Sequence, residues 1–183
     1  MRLTVHPQRW TMAGLNVVGG IAVLGSYWYG FATHPEAGDA LWGGVPLGLR
    51  PLYTASMLLA AVGYFPLTAF LLFCVDPDRV RIAGRFGYGW FNLSYALVLL
   101  PSALWMPLAL RVIGHWDLVL WWTIRVILAL VGLGSLGLLA ALLMMTPRRP
   151  LAVYRLAVVG AVFFCIQTAL LDALVWPAFF PPG

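Results

Sequence analysis

The chain contains no lysine, and only 9% of its 183 residues are charged. Soluble domains carry about 25% charged residues, so this composition does not suit a water-soluble fold. Cysteine is almost absent as well. Cys74 and Cys165 stand alone without a C-x-x-C pair, which removes the motif for thiol redox chemistry or a zinc site. Both read as small apolar packing residues. The three histidines, His6, His34 and His115, all fall outside the middle of any apolar run. A haem held by axial histidines inside a helical bundle therefore fits poorly. His115 with Asp117 reads as an interfacial polar turn rather than a metal site, and no cofactor is required by the sequence. No nucleophile sits beside a base, so the chain does not read as an enzyme. A lipid-modifying centre would have to be assembled from His115, Asp117 and Asp172, which no spacing ties together.

What the chain has in quantity is apolar length. Hydrophobic residues make up 62% of it, and the mean hydropathy is +0.91. Five apolar runs lie at 11–32, 52–75, 86–110, 117–145 and 152–176. Each reaches the roughly 20 residues that a helix needs to cross a bilayer. Lipid forces the backbone to bond within its own segment, and the continuous runs lack the alternation of a barrel strand. The expected fold is all-α: one domain, a single bundle of five transmembrane helices over residues 1–183.

The arginines set its orientation. Arg2, Arg9, Arg79, Arg81, Arg85, Arg148, Arg149 and Arg155 fall on one side, and only Arg50 and Arg111 on the other. That imbalance places the N-terminus in the cytoplasm and the C-terminus outside, in what reads as a bacterial cell membrane. The basic charge thus reports topology, and nucleic acid is not an expected partner. Tyr27, Trp28 and Tyr29 follow the first run where a cleavage site would need small residues, so that run is a retained helix.

Glycines 14, 19, 20 and 25 mark the first helix for close packing, centrally or against a partner. The segment 33-THPEAGDALWGGVPLGLRP-51 is the longest connection, and is apolar for a loop. Two readings stand: a cover folded over the bundle mouth, or a segment resting on lipid. Kinks are expected at Pro66 and Pro101, and Pro107 marks an end for the third helix.

Polar groups inside the runs are few. Asp172 lies about a turn from the outer end of the fifth run, and Arg125 about two turns into the fourth. Ionisable groups at membrane depth face protein or a wet cavity, so the two are expected to meet, as a structural tie or as the polar end of a ligand site. Trp121 and Trp122 stand four and three residues before Arg125, within reach of its guanidinium. Gln167 and Thr168 add polar groups to the fifth run, with Thr168 one turn from Asp172. On the third run Tyr88, Asn92, Tyr95, Ser102 and Trp105 recur at helical spacing along one face. Seven of the nine tryptophans, including Trp42, gather toward the outer side, where a belt or an aromatic pocket would place them.

These features resemble the tryptophan-rich sensory protein or translocator protein (TspO) family. Trp42, Pro46 and 51-PLYTASMLLAAVGY-64 look like that family's Trp…Pro…P-x-W-T segment, with Tyr53 where the family has Trp. The stretch 92-NLSYALVLLPSALW-105 is similar to its third helix, and 168-TALLDALVW-176 to its A-T-x-L-N-x-x-x-W ending, with Asp172 for Asn. The family's Pro-Pro pair in the first loop is missing. The resemblance implies a dimer that binds tetrapyrroles such as porphyrin or haem, sterols or lipids under the first loop. It places Trp42, Pro51, Tyr53, Asn92, Trp105 and Asp172 around the ligand; spacing adds Tyr95, Trp121, Trp122 and Arg125. The expected function is binding, transport or sensing of a hydrophobic ligand in an outward-facing aromatic pocket. The alternative is an accessory subunit of a larger membrane complex.

Overall fold

The computed structural model describes residues 6–180. Five helices are long and apolar enough to cross a membrane: α1 (Pro7–Thr33), α2 (Arg50–Cys74), α3 (Gly89–Gly114), α4 (Leu118–Met144) and α5 (Leu151–Phe179). They are the five runs of the sequence, with ends shifted by at most four residues. Pro107 does not end α3; both Pro101 and Pro107 lie inside it. In lipid, losing one backbone bond at a proline costs less than unwinding a turn whose every polar group would then need a partner.

Three π-helical stretches interrupt the α geometry: Leu15–Gly19 in α1, Phe70–Cys74 at the end of α2, and Ile166–Val175 in α5. The last is ten residues long, and it sets the geometry of the site below.

The helices pack in the cyclic order α1, α3, α4, α5, α2. At the α2–α5 crossing, Gly63 meets Gly160: a Cβ built on Gly160 would collide with the Gly63 carbonyl oxygen. Only glycine on both helices permits that approach. Between α4 and α5, the Thr168 hydroxyl lies 2.7 Å from Ser135 Oγ and 2.8 Å from the Phe164 carbonyl, two acceptors for its single proton. The ring closes between α1 and α2 chiefly in one half, where Tyr64 donates to Asn16 Oδ1 and Arg9 donates to the Val75 carbonyl at 2.9 Å.

That half leads to the basic end of the bundle, which holds Arg9, Arg79, Arg81, Arg85, Arg148 and Arg149. Arg2, counted with them in the sequence, lies outside the described residues. Two short strands, β1 (Arg81–Ile82) and β2 (Met145–Thr146), pair antiparallel and tie the α2–α3 connection to the end of α4. Arg148 reaches back to the carbonyls of Leu143 and Met145, where a cation suits the negative end of the helix dipole. His6 accepts from the Gln8 amide at 3.2 Å and stands 3.3 Å from Asp78. Above this end lies the larger core cluster, built on Met12, Phe70, Leu71, Tyr88, Phe91 and Leu142.

The opposite end is aromatic. A second cluster there joins Val45, Tyr53, Trp121, Ile124 and Trp176. The remaining large apolar side chains, such as Leu24, Trp28, Leu58, Phe65 and Leu133, point outward, as a bundle solvated by lipid requires.

Candidate functional site

The long connection between α1 and α2 is held against one end of the bundle. It folds back over the aromatic end and is fastened to the C-terminal turn of the bundle. The Gly44 amide donates to the Phe179 carbonyl at 2.7 Å, and Trp176 Nε1 donates to the Leu41 carbonyl at 2.9 Å. Gly43 takes a positive φ of 54°, and a Cβ there would stand 2.5 Å from the Phe180 ring. Glycine is what lets the loop lie this close. From the other side Arg50, the first residue of α2, sits 5.5 Å from the Trp42 ring centroid and 3.4 Å from Asp39.

Beneath the loop, one aromatic side chain arrives from each of several elements. Trp42 meets Tyr53 of α2 edge-on at 6.0 Å. Trp105 of α3 meets Trp176 of α5 edge-on at 6.1 Å, and stacks on Tyr27 of α1 at 5.6 Å. Trp121 of α4 lies 6.0 Å from Trp176 and stacks on Phe180 at 5.7 Å.

The polar end of this cluster is Asp172. Its partner is not Arg125. Gln167 Nε2 donates to Asp172 Oδ1 at 2.8 Å. Five residues are about 1.4 turns of an α-helix, so in that geometry the two would point apart. On a π-helix, whose ladder closes at i→i+5, they lie roughly one turn apart. The same change of period takes Thr168 away from Asp172 and onto Ser135. Tyr53 of α2 donates to the carbonyl of Leu171, the residue before Asp172, at 3.4 Å. Two buried polar atoms at this end have no protein partner: Gln167 Oε1 and Trp105 Nε1.

Five of the ten residues singled out from sequence thus converge: Trp42, Tyr53, Trp105, Trp121 and Asp172. The others do not join them. Asn92 and Tyr95 share a helix face with Trp105, but a rise of 1.5 Å per residue puts them about 20 and 15 Å away along α3. There Asn92 donates to the Gln8 carbonyl at 3.2 Å, and Tyr95 exchanges a hydrogen bond with Thr68 at 2.7 Å. Pro51 is exposed at the start of α2. Trp122 is 58% exposed where its neighbour Trp121 is 5% exposed, and the Arg125 guanidinium lies 5.8 Å from the Trp122 ring. Arg125 therefore serves the outer face of α4. An apolar groove of about 420 Å³ runs along that face, lined by Leu118, Val119, Trp122, Thr123 and Val126.

Tyr27, Gln167 and Trp176 join the cluster beyond the ten. Trp176 carried a signal, its spacing from Thr168 and Asp172. Tyr27 reads from sequence as an interfacial anchor, and Gln167 needed the π turn to be seen. At the mouth of α4, Asp117 accepts from the Leu120 amide at 2.8 Å and so acts as a helix cap. Among the described residues no group of three His, Cys, Asp or Glu side chains could hold a metal.

Five spanning helices make this a multi-pass integral membrane protein. No family model, no curated protein and no solved structure matches the chain.

Proposed function

We propose that this protein binds a hydrophobic small molecule at the aromatic end of its bundle, under the loop that follows α1, and transports or senses it. The observation that carries the reading is the convergence of Trp42, Tyr53, Trp105, Trp121 and Trp176 beneath a loop fastened to the C-terminal turn. An apolar site with a few convergent polar groups is the usual form of a small-molecule pocket. The resemblance to the TspO family names tetrapyrroles, sterols and lipids as the classes to try first. With Arg125 turned to the outer face, the cation seen at this end is Arg50, 5.5 Å from the Trp42 ring centroid and 3.4 Å from Asp39.

The test is a titration of purified protein with protoporphyrin, a sterol and a lipophilic alcohol, read by tryptophan fluorescence. Saturable binding of at least one, weakened by Trp121→Phe and untouched by Trp122→Phe, supports the site. No saturable binding of any of the three overturns it.

One observation favours a second reading, an accessory subunit of a larger membrane complex. Helix α1 is barely buried, and Gly14, Gly20 and Gly25 on it have no heavy atom within 4 Å of a built Cβ. Together with exposed Val17, Val18, Ile21 and Leu24 they form a surface on which another helix could pack closely. Gentle solubilisation that yields the protein with a stoichiometric companion would favour this reading. Recovery without one would count against it.

A further inference from the structure

The unpaired polar groups at the aromatic end narrow the ligand class, and the argument rests on the binding site proposed above. Asp172 receives one hydrogen bond, from the Gln167 amide nitrogen. The ion pairs among the described residues lie elsewhere, at His6–Asp78, Arg50–Asp39 and Arg79–Asp76. The other atom of the same amide, Gln167 Oε1, is buried with no donor, and the Gln167 residue is only 5% exposed. A carboxylate and an amide oxygen therefore stand side by side in the bundle, two acceptors that ask for a donor. A buried acceptor left without a donor keeps its desolvation cost uncompensated, and a charged one more so.

From these positions we infer that the site takes a primary ammonium group carried on an apolar body. An ammonium brings three donors and a positive charge, which matches one carboxylate oxygen and one amide oxygen together. A hard metal ion fits less well, since it needs six or more oxygen ligands. The rings support the organic cation. Tyr53 of α2 donates to the carbonyl of Leu171 beside Asp172, and Trp105, which meets Trp176 of α5, is stacked on Tyr27 of α1. A cation among aromatic faces gains further attraction. The apolar body would lie among Trp105, Trp121 and Trp176. Helices α1 and α2 approach each other chiefly toward the basic end, where Tyr64 meets Asn16.

An aminolipid headgroup and a free lipophilic amine share this chemistry, and the experiment separates them. The protein in phosphatidylcholine nanodiscs is titrated with 1-adamantanemethylamine and, in parallel, with 1-adamantanemethanol, with empty nanodiscs as the partition control. Tryptophan fluorescence is the readout. The amine is expected to bind about tenfold or more tightly than the alcohol. In Asp172→Asn the amine should fall to the affinity of the alcohol, while the alcohol keeps its own. Replacing part of the lipid with phosphatidylethanolamine then assigns the source. Competition with the amine points to the aminolipid headgroup, and no competition points to a free amine; both keep the ammonium assignment.

Equal affinities of amine and alcohol in the unmodified protein overturn the ammonium assignment and leave the hydrophobic site standing. Because that comparison needs no variant, it holds even where Asp172→Asn does not fold. Absence of saturable binding by either compound overturns both the assignment and the site beneath it.

Discussion

Gln167 holds Asp172 across five residues of one helix, a pairing that exists because α5 runs as a π-helix from Ile166 to Val175. An unbroken α-helix would have turned the amide away and offered Thr168 instead. The π stretch sets which face of α5 carries the carboxylate. Such stretches are found disproportionately at functional sites. Gln167→Ala should remove the tether, and a hydrogen bond inside a membrane bundle contributes about 1 kcal/mol. Unfolding in a graded denaturing detergent would show that loss; an unchanged midpoint would mean that the pair contributes nothing to the fold.

The Gly63–Gly160 crossing gives a sharper stability test. Gly160→Val forces a branched side chain into the backbone of α2 and should destabilise by at least the 1–3 kcal/mol or so of ordinary overpacking. Gly20→Val, on the open face of α1, should leave the melting temperature nearly unchanged. Equal effects from the two substitutions would argue against the α2–α5 contact.

Ser135 and Thr168 link α4 to α5 in the buried middle of the bundle. A double-mutant cycle of Ser135→Ala and Thr168→Val should return a coupling of about 0.6 kcal/mol, and not above about 1.7. Purely additive effects would place the two hydroxyls apart.

The loop over the aromatic end should open when its fastening is cut. Trp176→Phe puts a smaller phenyl in place of the indole and deletes the bond to the Leu41 carbonyl, which alone is a loss of about 1 kcal/mol. Amide hydrogen exchange across residues 41–45 should quicken several-fold, while exchange at the β1–β2 pair stays as it was. Arg50→Ala should have a smaller effect, because Asp39 is exposed and surface ion pairs contribute little.

Much of this architecture was legible in the residues. Runs of sufficient length and few charges gave all five helices, since lipid leaves the backbone no other choice. Trp42, Tyr53, Trp105 and Asp172 were singled out by the family resemblance and Trp121 by its spacing from Arg125, and these five lie at one end of the bundle. Arg125 could not be placed from sequence: its spacing from Trp121 and Trp122 is nearly the same, and only the packing of α4 decides that Trp122 faces outward. Asn92 and Tyr95 share a face with Trp105, but a face says nothing of depth along the axis. Thr168 was set against Asp172 by a period of 3.6, and no propensity announced that α5 would adopt another.

The place of binding can be mapped most directly by photolabelling. A diazirine derivative of 1-adamantanemethylamine is irradiated with the protein in nanodiscs, and the labelled residues are read by peptide mass spectrometry. Labels confined to the peptides bearing Tyr27, Tyr53, Trp105 and Gln167–Trp176, and lost on competition with unlabelled amine, are the expected result. Labels along Leu118, Val119, Trp122, Thr123 and Val126, or scattered over the lipid faces without competition, would contradict a ligand site beneath the loop.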